Sequence, residues 1–186
     1  MRIEPYFPGP ADFRAYDPEA GEIARALGDA IRDVEPILQV EHIGSTSIPG
    51  CGGKGIIDLM VLYPEGHLSR ARTVLDLLGF QKQGGPEPFP EERPMRVGSI
   101  LSGNGRFRIH AHVIALQSEE HRELVRFREV LRGCNELRQR YEERKRAILA
   151  SGIQDPIEYC KAKEGVIQEV LKSQMTNSKC SMPNTQ

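Results

Sequence analysis

The chain has 186 residues, of which 39% are hydrophobic and 27% are charged, and this composition is ordinary for a single globular domain with one sizeable core. Its formal net charge is −1, which excludes a global electrostatic field that would attract nucleic acid or an anionic membrane surface. Nucleic acid is therefore an unexpected partner unless a local basic patch exists.

The sequence also lacks the features of a membrane or secreted protein. No run approaches the roughly 18 apolar residues of a membrane helix, and the N-terminal residues have no continuous apolar stretch typical of a signal peptide. Four cysteines, at positions 51, 134, 160 and 180, form neither a CxxC pair nor a zinc-binding pattern. These observations predict a cytoplasmic protein without a membrane partner.

The first third of the chain begins with an extended segment, residues 1–16, which is rich in proline and aromatic residues. Asp17-Pro18 is typical of a helix start, and Ile23, Leu27 and Ile31 recur every four residues. This pattern predicts an amphipathic helix over 18–33. After Pro36, the apolar run 37–43 predicts the first strand.

A short turn of sequence GSTS follows that strand directly. Gly44 tolerates a positive φ, and Ser45, Thr46 and Ser47 place three hydroxyl groups beside exposed backbone N–H groups. Such an arrangement is typical of a cradle for phosphate or another anion. The alternative is a Ser/Thr-capped turn with no ligand. Pro49 and the glycines that follow predict an irregular loop up to Lys54, which could add a cation.

The next strand, residues 56–63, is apolar except for Asp58. A run of this kind suits a strand that is covered on both faces. A carboxylate in such a strand is costly unless it is paired, binds a metal or faces a cleft. Asp58 is therefore a candidate metal ligand or general base. The alternative is a structural role, either at a solvated strand end or in an ion pair with Lys54.

The middle of the chain predicts a helix over 68–78 that ends at Gly79, and a short strand that begins at Phe80. Residues 83–94 contain four prolines and two glycines, which predicts a mobile loop. A strand near 95–101 then turns at Asn104-Gly105, a strong hairpin signal.

The strand after that hairpin alternates polar and apolar residues without a break. Because side chains alternate between the faces of a strand, four cationic or imidazole residues share one face: Arg106, Arg108, His110 and His112. The other face, from Phe107 to Val113, is apolar and is predicted to lie toward the core. A solvated outer face is the alternative interpretation of the polar side.

The remainder of the chain predicts three helices. The first spans about 118–132, the second ends at Gly152, and the third begins at Asp155-Pro156. The sequence thus predicts a main domain over 17–174, followed by a disordered tail at 175–186.

Four segments resemble the GrpB family, in the same order along the chain, over about residues 17–172. They are VEHIGSTSIPG with the following Lys and IIDLMV, then HAHVIAL, then FREVLRGCNELRQRYEERKRAIL, and finally IEYCKAKEGVIQEVL. That family is placed in the nucleotidyltransferase superfamily. The resemblance implies an α/β fold of the α+β type, with a nucleotidyltransferase-like mixed sheet flanked by helices and a C-terminal helical segment.

The resemblance also implies site residues. In the superfamily, a Gly-Ser turn at the start of a helix binds the triphosphate, and strand carboxylates hold a divalent metal. Gly44 and Ser45 match the turn and Asp58 matches the first carboxylate. The second carboxylate is expected two residues later, where this chain has Met60. His110 and His112 occupy the third acidic position, and imidazole prefers zinc or manganese to magnesium.

Three hypotheses of function follow. In the first, the protein is a nucleotidyltransferase-like enzyme that acts on a small molecule, with catalysis by Asp58, His110 and His112 and a divalent ion (Mg, Mn or Zn) on Asp58 and His112. Phosphate, as in a nucleoside triphosphate, would bind the GSTS turn with Lys54, Arg106 and Arg108. In the second hypothesis, the same pocket performs acid/base chemistry without phosphate. In the third, it binds a nucleotide or anion without catalysis.

Overall fold

The computed structural model describes residues 2–9, 12–85, 87–103, 105–153 and 155–173. Five strands and five α-helices are defined in this part of the chain. In chain order they are α1 (Glu19–Val34), β1 (Gln39–Ile43), β2 (Ile56–Tyr63), α2 (Leu68–Leu77), β3 (Gln81–Lys82), β4 (Met95–Ser102), β5 (Gly105–Ala115), α3 (Glu119–Gly133), α4 (Asn135–Ala150) and α5 (Pro156–Lys172).

The strands form one mixed sheet with the order β1-β2-β5-β4-β3. Strands β2 and β5 are parallel neighbours at its centre, and the other three pairings are antiparallel. A parallel pair needs a long crossover connection, which α2, β3 and β4 provide between β2 and β5. The centre of the sheet therefore joins two segments that are far apart in sequence.

One face of the sheet packs on α1 and α2 and forms the larger apolar core. Ile57, Leu59 and Val61 of β2 point into this core, together with alternate residues of β5. The opposite face carries the polar residues of β5. Helix α3 covers one end of that face, where Met60 and Leu62 pack against Leu124. Helices α3, α4 and α5 form a second apolar cluster with Ile48 and Cys51.

The predicted fold class is confirmed: a mixed sheet lies between helices and a C-terminal helical segment follows it. The predicted strand 56–63 matches β2, and the predicted faces of β5 are correct, since Phe107, Ile109 and Ala111 are buried in the larger core. Strand β1 is shorter than predicted and begins at Gln39. The predicted tail at 175–186 and Asn104 of the hairpin lie outside the described residues.

The GSTS turn (residues 44–47) differs from the expectation that the resemblance raised. It forms a single turn of 3-10 helix, Ser45–Ser47, and not the start of an α-helix. The extended backbone of Ile48 ends it, and Pro49 follows. A turn this short has no helix dipole to contribute to anion binding.

Within the described residues, no helix combines the length and the apolar character that crossing a bilayer requires.

Candidate functional site

The parallel pairing of β2 and β5 brings a carboxylate and two imidazoles together. Asp58 lies directly opposite His110 in the register, and Met60 lies opposite His112. All four side chains project from the same face of the sheet, because residues two apart in a strand share a face. Asp58, His110 and His112 each offer one ligand atom, and these atoms lie within 4.8 Å of one another.

The distances within this group suit a tetrahedral metal ion. Oδ1 of Asp58 lies 3.6 Å from Nδ1 of His110 and 3.6 Å from Nε2 of His112. In a tetrahedral zinc site with ligands about 2.1 Å from the ion, neighbouring ligand atoms are about 3.4 Å apart. The three side chains are only 18–24% exposed. The donor set and its spacing therefore fit a transition metal better than magnesium, which prefers oxygen ligands.

The surroundings of the group favour a deprotonated carboxylate and a neutral imidazole. Burial raises the pKa of Asp58. The contact with His112 and the charge of the nearby His110 lower it by more than burial raises it, so the net pKa is below its usual value. Burial lowers the pKa of His110 to about 4. A neutral imidazole and an ionised carboxylate are the forms that bind metal.

Each histidine has a distinct second contact. Nε2 of His110 lies 3.1 Å from the Tyr6 hydroxyl. The ring of Phe89 packs edge-on against His112, with centroids 5.8 Å apart. Nδ1 of His112 is buried and has no hydrogen-bond partner among the described residues. A buried nitrogen with an unused lone pair or proton is a costly feature unless a ligand satisfies it.

Gly44 explains how the carboxylate of Asp58 is accommodated. Gly44 has a φ of +69°, and a Cβ at this position would lie 2.3 Å from Oδ2 of Asp58. The carboxylate thus lies against the backbone of the GSTS turn, in space that only glycine leaves open. This contact links the predicted turn with the predicted metal ligand.

The three hydroxyl groups of the turn are not equivalent. Thr46 donates its proton to the carbonyl of Ile56 and lies 2.9 Å from Nε2 of His42, from which it accepts. Ser47 donates its proton to the carbonyl of Gly44. Among the described residues, Ser45 Oγ forms no hydrogen bond, so it is the hydroxyl of this turn that remains available to donate to a ligand.

The glycine-rich loop (residues 50–55) packs against the N-terminal part of the chain. Gly53 pairs with Arg14 through two backbone hydrogen bonds of 2.6 and 2.9 Å. A Cβ at Gly52 would lie 2.5 Å from the ring of Phe13, and one at Gly55 would lie 2.9 Å from Arg14. These glycines therefore allow the two segments to pack closely. The sequence had predicted only an irregular loop here.

Lys54 lies beside a cation and an aromatic ring from α5. The ammonium groups of Lys54 and Lys163 lie 4.2 and 4.5 Å from the centroid of the Tyr159 ring. Burial lowers the pKa of Lys54, and the charge of Lys163 lowers it further. The charge of Lys163 also acts on Asp58. Neither lysine forms an ion pair within the described residues, so two cations beside the Asp/His group lack a carboxylate partner.

A third lysine, Lys145 of α4, lies behind the glycine-rich loop. It is 2% exposed, and its ammonium group donates to the carbonyl of Gly52 and lies 3.3 Å from Sγ of Cys51. A Cβ at Gly53 would meet both Ser45 Oγ, at 2.7 Å, and Nζ of Lys145, at 3.2 Å. Lys145 therefore fixes the position of the glycine-rich loop through its contacts with Cys51 and Gly52, close to Ser45.

The two arginines of the predicted phosphate site each have a partner within the chain. Arg106 is exposed, and its guanidinium lies 4.9 Å from the centroid of the Phe7 ring. Arg108 is buried and donates to the carbonyls of Gly9 and Lys54. Arg108 thus connects the N-terminal segment with the loop that carries Lys54, and its charge also acts on Tyr6 and His110.

Sequence reasoning missed three residues of this site: Tyr6, Tyr159 and Lys163. Tyr6 comes from an irregular segment whose position no local pattern predicts. Tyr159 and Lys163 are four residues apart on α5, which places them on one helix face. That spacing was visible in the sequence, but the face of α5 that meets the sheet was not.

The comparisons with known proteins agree with the resemblance noted above. A profile of the family described as GrpB protein matches residues 10–173. UPF0157 protein BH1888 of Halalkalibacterium halodurans is 30% identical over 161 residues, which cover 86% of this chain and 75% of that protein. UPF0157 protein PA4798 of Pseudomonas aeruginosa is 33% identical over 158 residues, which cover 83% of this chain and 64% of that protein.

The fold is also found in a solved structure. The conserved protein GrpB from Enterococcus faecalis matches with a TM-score of 0.64 at 21% identity, covering 89% of this chain and 100% of that one. A structure of Cid1, whose reported activity is RNA terminal uridylyl transfer, matches with a TM-score of only 0.47 at 16% identity and has no bearing on function. The profile match over most of the chain and the identity with these relatives show that the chain belongs to the GrpB family.

Proposed function

We propose that this protein is a metal-dependent enzyme of nucleotidyltransferase type that acts on a small-molecule substrate. The observation that carries the proposal is the Asp58, His110 and His112 group, whose ligand atoms lie within 4.8 Å of one another beside the GSTS turn. A divalent ion bound there would supply a Lewis acid that polarises a phosphoryl oxygen. Binding of the substrate, its orientation and the neutralisation of its charge would depend on side chains of the protein.

The lysines beside the group support an anionic substrate. Lys54 and Lys163 share the Tyr159 ring and have no carboxylate partner among the described residues. Two such cations suit the charge of a di- or triphosphate, and the free hydroxyl of Ser45 suits a phosphate oxygen. These groups would bind and orient the phosphate and neutralise its charge, which is most of what phosphoryl-transfer enzymes do.

Metal binding is the first test. Isothermal titration calorimetry with Zn²⁺, Mn²⁺ and Mg²⁺ should show that the wild type binds Zn²⁺ or Mn²⁺ more tightly than Mg²⁺. Asp58→Asn should weaken that binding by more than the ~100-fold that loss of a supporting group can cause. Asp33→Asn, an exposed change on α1, is the matched control and should bind as the wild type does. Failure of the wild type to bind any of these ions would remove the basis of the proposal.

Phosphate binding is the second test. We expect ATP, CTP or GTP to bind the metal-loaded protein, and Lys163→Ala to weaken that binding about tenfold or more, because a charge-assisted hydrogen bond contributes about 1.5–3 kcal/mol. Lys161→Ala, an exposed lysine on the same helix, should leave the affinity unchanged. Equal losses in both variants would show that Lys163 has no special role.

A second candidate function is acid/base chemistry without phosphate. Two observations favour it. Met60 is fully buried in an apolar cluster where the superfamily has its second carboxylate, and the protons of Thr46 and Ser47 are already donated to backbone carbonyls of the chain. Under this alternative, calorimetry would show metal binding but no nucleotide binding with any of the ions.

A further inference from the structure

The N-terminal strap, defined here as residues 2–9, lies against the sheet edge next to the candidate metal group. Strand β3 has only two residues, so the edge of β4 beyond it is open. Glu4 fills that edge through two backbone hydrogen bonds with Ser99, of 2.8 and 2.9 Å. The backbone of Phe7 then donates to Ser99 Oγ at 3.1 Å. The strap is therefore fixed to the sheet on both sides of Tyr6.

Further contacts fix the direction in which the strap leaves the sheet. Tyr6 donates its backbone N–H to Oε1 of Gln81, and Arg108 donates to the carbonyl of Gly9 at 3.1 Å. Gly98 of β4 makes room for the strap, because a Cβ there would lie 2.6 Å from Cγ2 of Ile3. These contacts place the Tyr6 ring over β5, where its centroid is 5.6 Å from that of His110.

The Tyr6 hydroxyl meets the ring nitrogen of His110 that faces away from Asp58. Nε2 of His110 lies 3.1 Å from this hydroxyl, whereas Nδ1 lies 3.6 Å from Oδ1 of Asp58. A ring rotated by half a turn about the Cβ–Cγ bond would put Cδ2 in the place of Nδ1 and Cε1 in the place of Nε2, so that carbon atoms would face both partners. The hydroxyl thus selects the ring orientation in which Nδ1 faces the other two ligand atoms.

We infer that Tyr6 is a positioning residue for the metal group: its hydroxyl accepts a hydrogen bond from Nε2–H of His110 and so holds Nδ1 as the nitrogen that binds the ion. This inference rests on the proposed metal function. Histidine ligands in metal sites are commonly held through their second nitrogen, and loss of that partner typically costs 10- to 100-fold in metal affinity. The strap is accordingly part of the site, although sequence reasoning separated residues 1–16 from the main domain.

The test is the metal affinity of Tyr6→Phe, which removes only the hydroxyl and keeps the ring. We expect its Zn²⁺ affinity, measured by competition with a chelator, to fall about 10- to 100-fold. The visible absorption spectrum of the Co²⁺-loaded protein should change in band position or intensity, because the ligand field depends on the orientation of the imidazole. Both readouts are independent of catalytic activity.

Tyr63→Phe is the matched control. Tyr63 ends β2 and packs on the opposite face of the sheet, against the larger core, so its variant should bind metal as the wild type does. Thermal melts of the metal-free proteins show whether either change disturbs the fold. If the wild type and Tyr6→Phe bind Zn²⁺ equally and give the same Co²⁺ spectrum, the inference is overturned while the metal site stands. If the wild type binds no metal, the proposed function itself fails.

Discussion

At the scale of single residues, the contact between Gly44 and Asp58 has the clearest consequence. The left-handed backbone of Gly44 and the carboxylate oxygen that fills its Cβ position both oppose any side chain. We expect Gly44→Ala to lower the free energy of unfolding by more than the roughly 1–2 kcal/mol of backbone strain alone. Because the added methyl group displaces Asp58, metal affinity should fall as well.

Gly66→Ala separates the two effects. Gly66 also has a positive φ, of +80°, but a Cβ there would meet no atom within 4 Å. This control should lose only about 1 kcal/mol, measured by urea denaturation, and should keep the metal affinity of the wild type. Equal losses of stability and affinity in both variants would contradict the steric role of Asp58.

Single residues also show what sequence reasoning could and could not predict. Asp58 was predictable because a carboxylate in an apolar strand is costly, and the shared face of His110 and His112 follows from strand alternation. The role of Tyr6 was not predictable, because it depends on how an irregular segment crosses the sheet edge. The side chains of Thr46 and Arg108 have the predicted chemistry, but their protons are donated to backbone carbonyls that only the folded chain brings near.

At the scale of elements, α5 depends on its N-terminal cap. Oδ1 of Asp155 accepts from the backbone N–H groups of Ile157 and Glu158, at 2.9 and 2.8 Å, and Pro156 occupies the first helical position. This arrangement was predicted from Asp155-Pro156 alone, because the chemistry of a cap is local. The position of Tyr159 and Lys163 beside Lys54 was not predictable in this way, because it depends on how α5 packs against the rest of the chain.

The cap therefore provides a test of α5 as a whole. Asp155→Ala should lower the free energy of unfolding by about 1 kcal/mol and should increase hydrogen exchange in the first turns of α5. Asp155→Asn retains a capping oxygen and should behave almost as the wild type does. An unchanged stability in the alanine variant would show that the cap contributes nothing to the fold.

At the scale of the whole molecule, two partly buried histidines make stability depend on pH. Burial lowers the pKa of both His42 and His110 from 6.5 to about 4. Between about pH 6.5 and pH 4 the unfolded chain binds protons that the folded chain does not, so the free energy of unfolding falls as the pH falls through this window. The loss approaches about 3 kcal/mol for each histidine by pH 4.

Urea denaturation of the metal-free protein at pH 7.5, 6, 5 and 4.5 measures this dependence. His42→Gln keeps a donor toward Thr46 but cannot titrate, so its stability should fall less steeply over the same range. His67→Gln, a change of a half-buried histidine whose ring makes a local hydrogen bond to the Glu65 carbonyl, is the control and should follow the wild type. A wild-type stability that is constant from pH 7.5 to 4.5 would contradict a neutral state for both partly buried rings.

The parallel pairing of β2 with β5 also has a kinetic consequence. Asp58 and His110 come into register only after the chain between β2 and β5, residues 64–104, has crossed over and β5 has inserted between β2 and β4. Pairings between segments so distant in sequence form slowly. We therefore expect the absorption of bound Co²⁺ to appear in a late phase of refolding, after helical circular dichroism has recovered. A stopped-flow experiment that follows both signals makes the metal group a reporter of correct strand order.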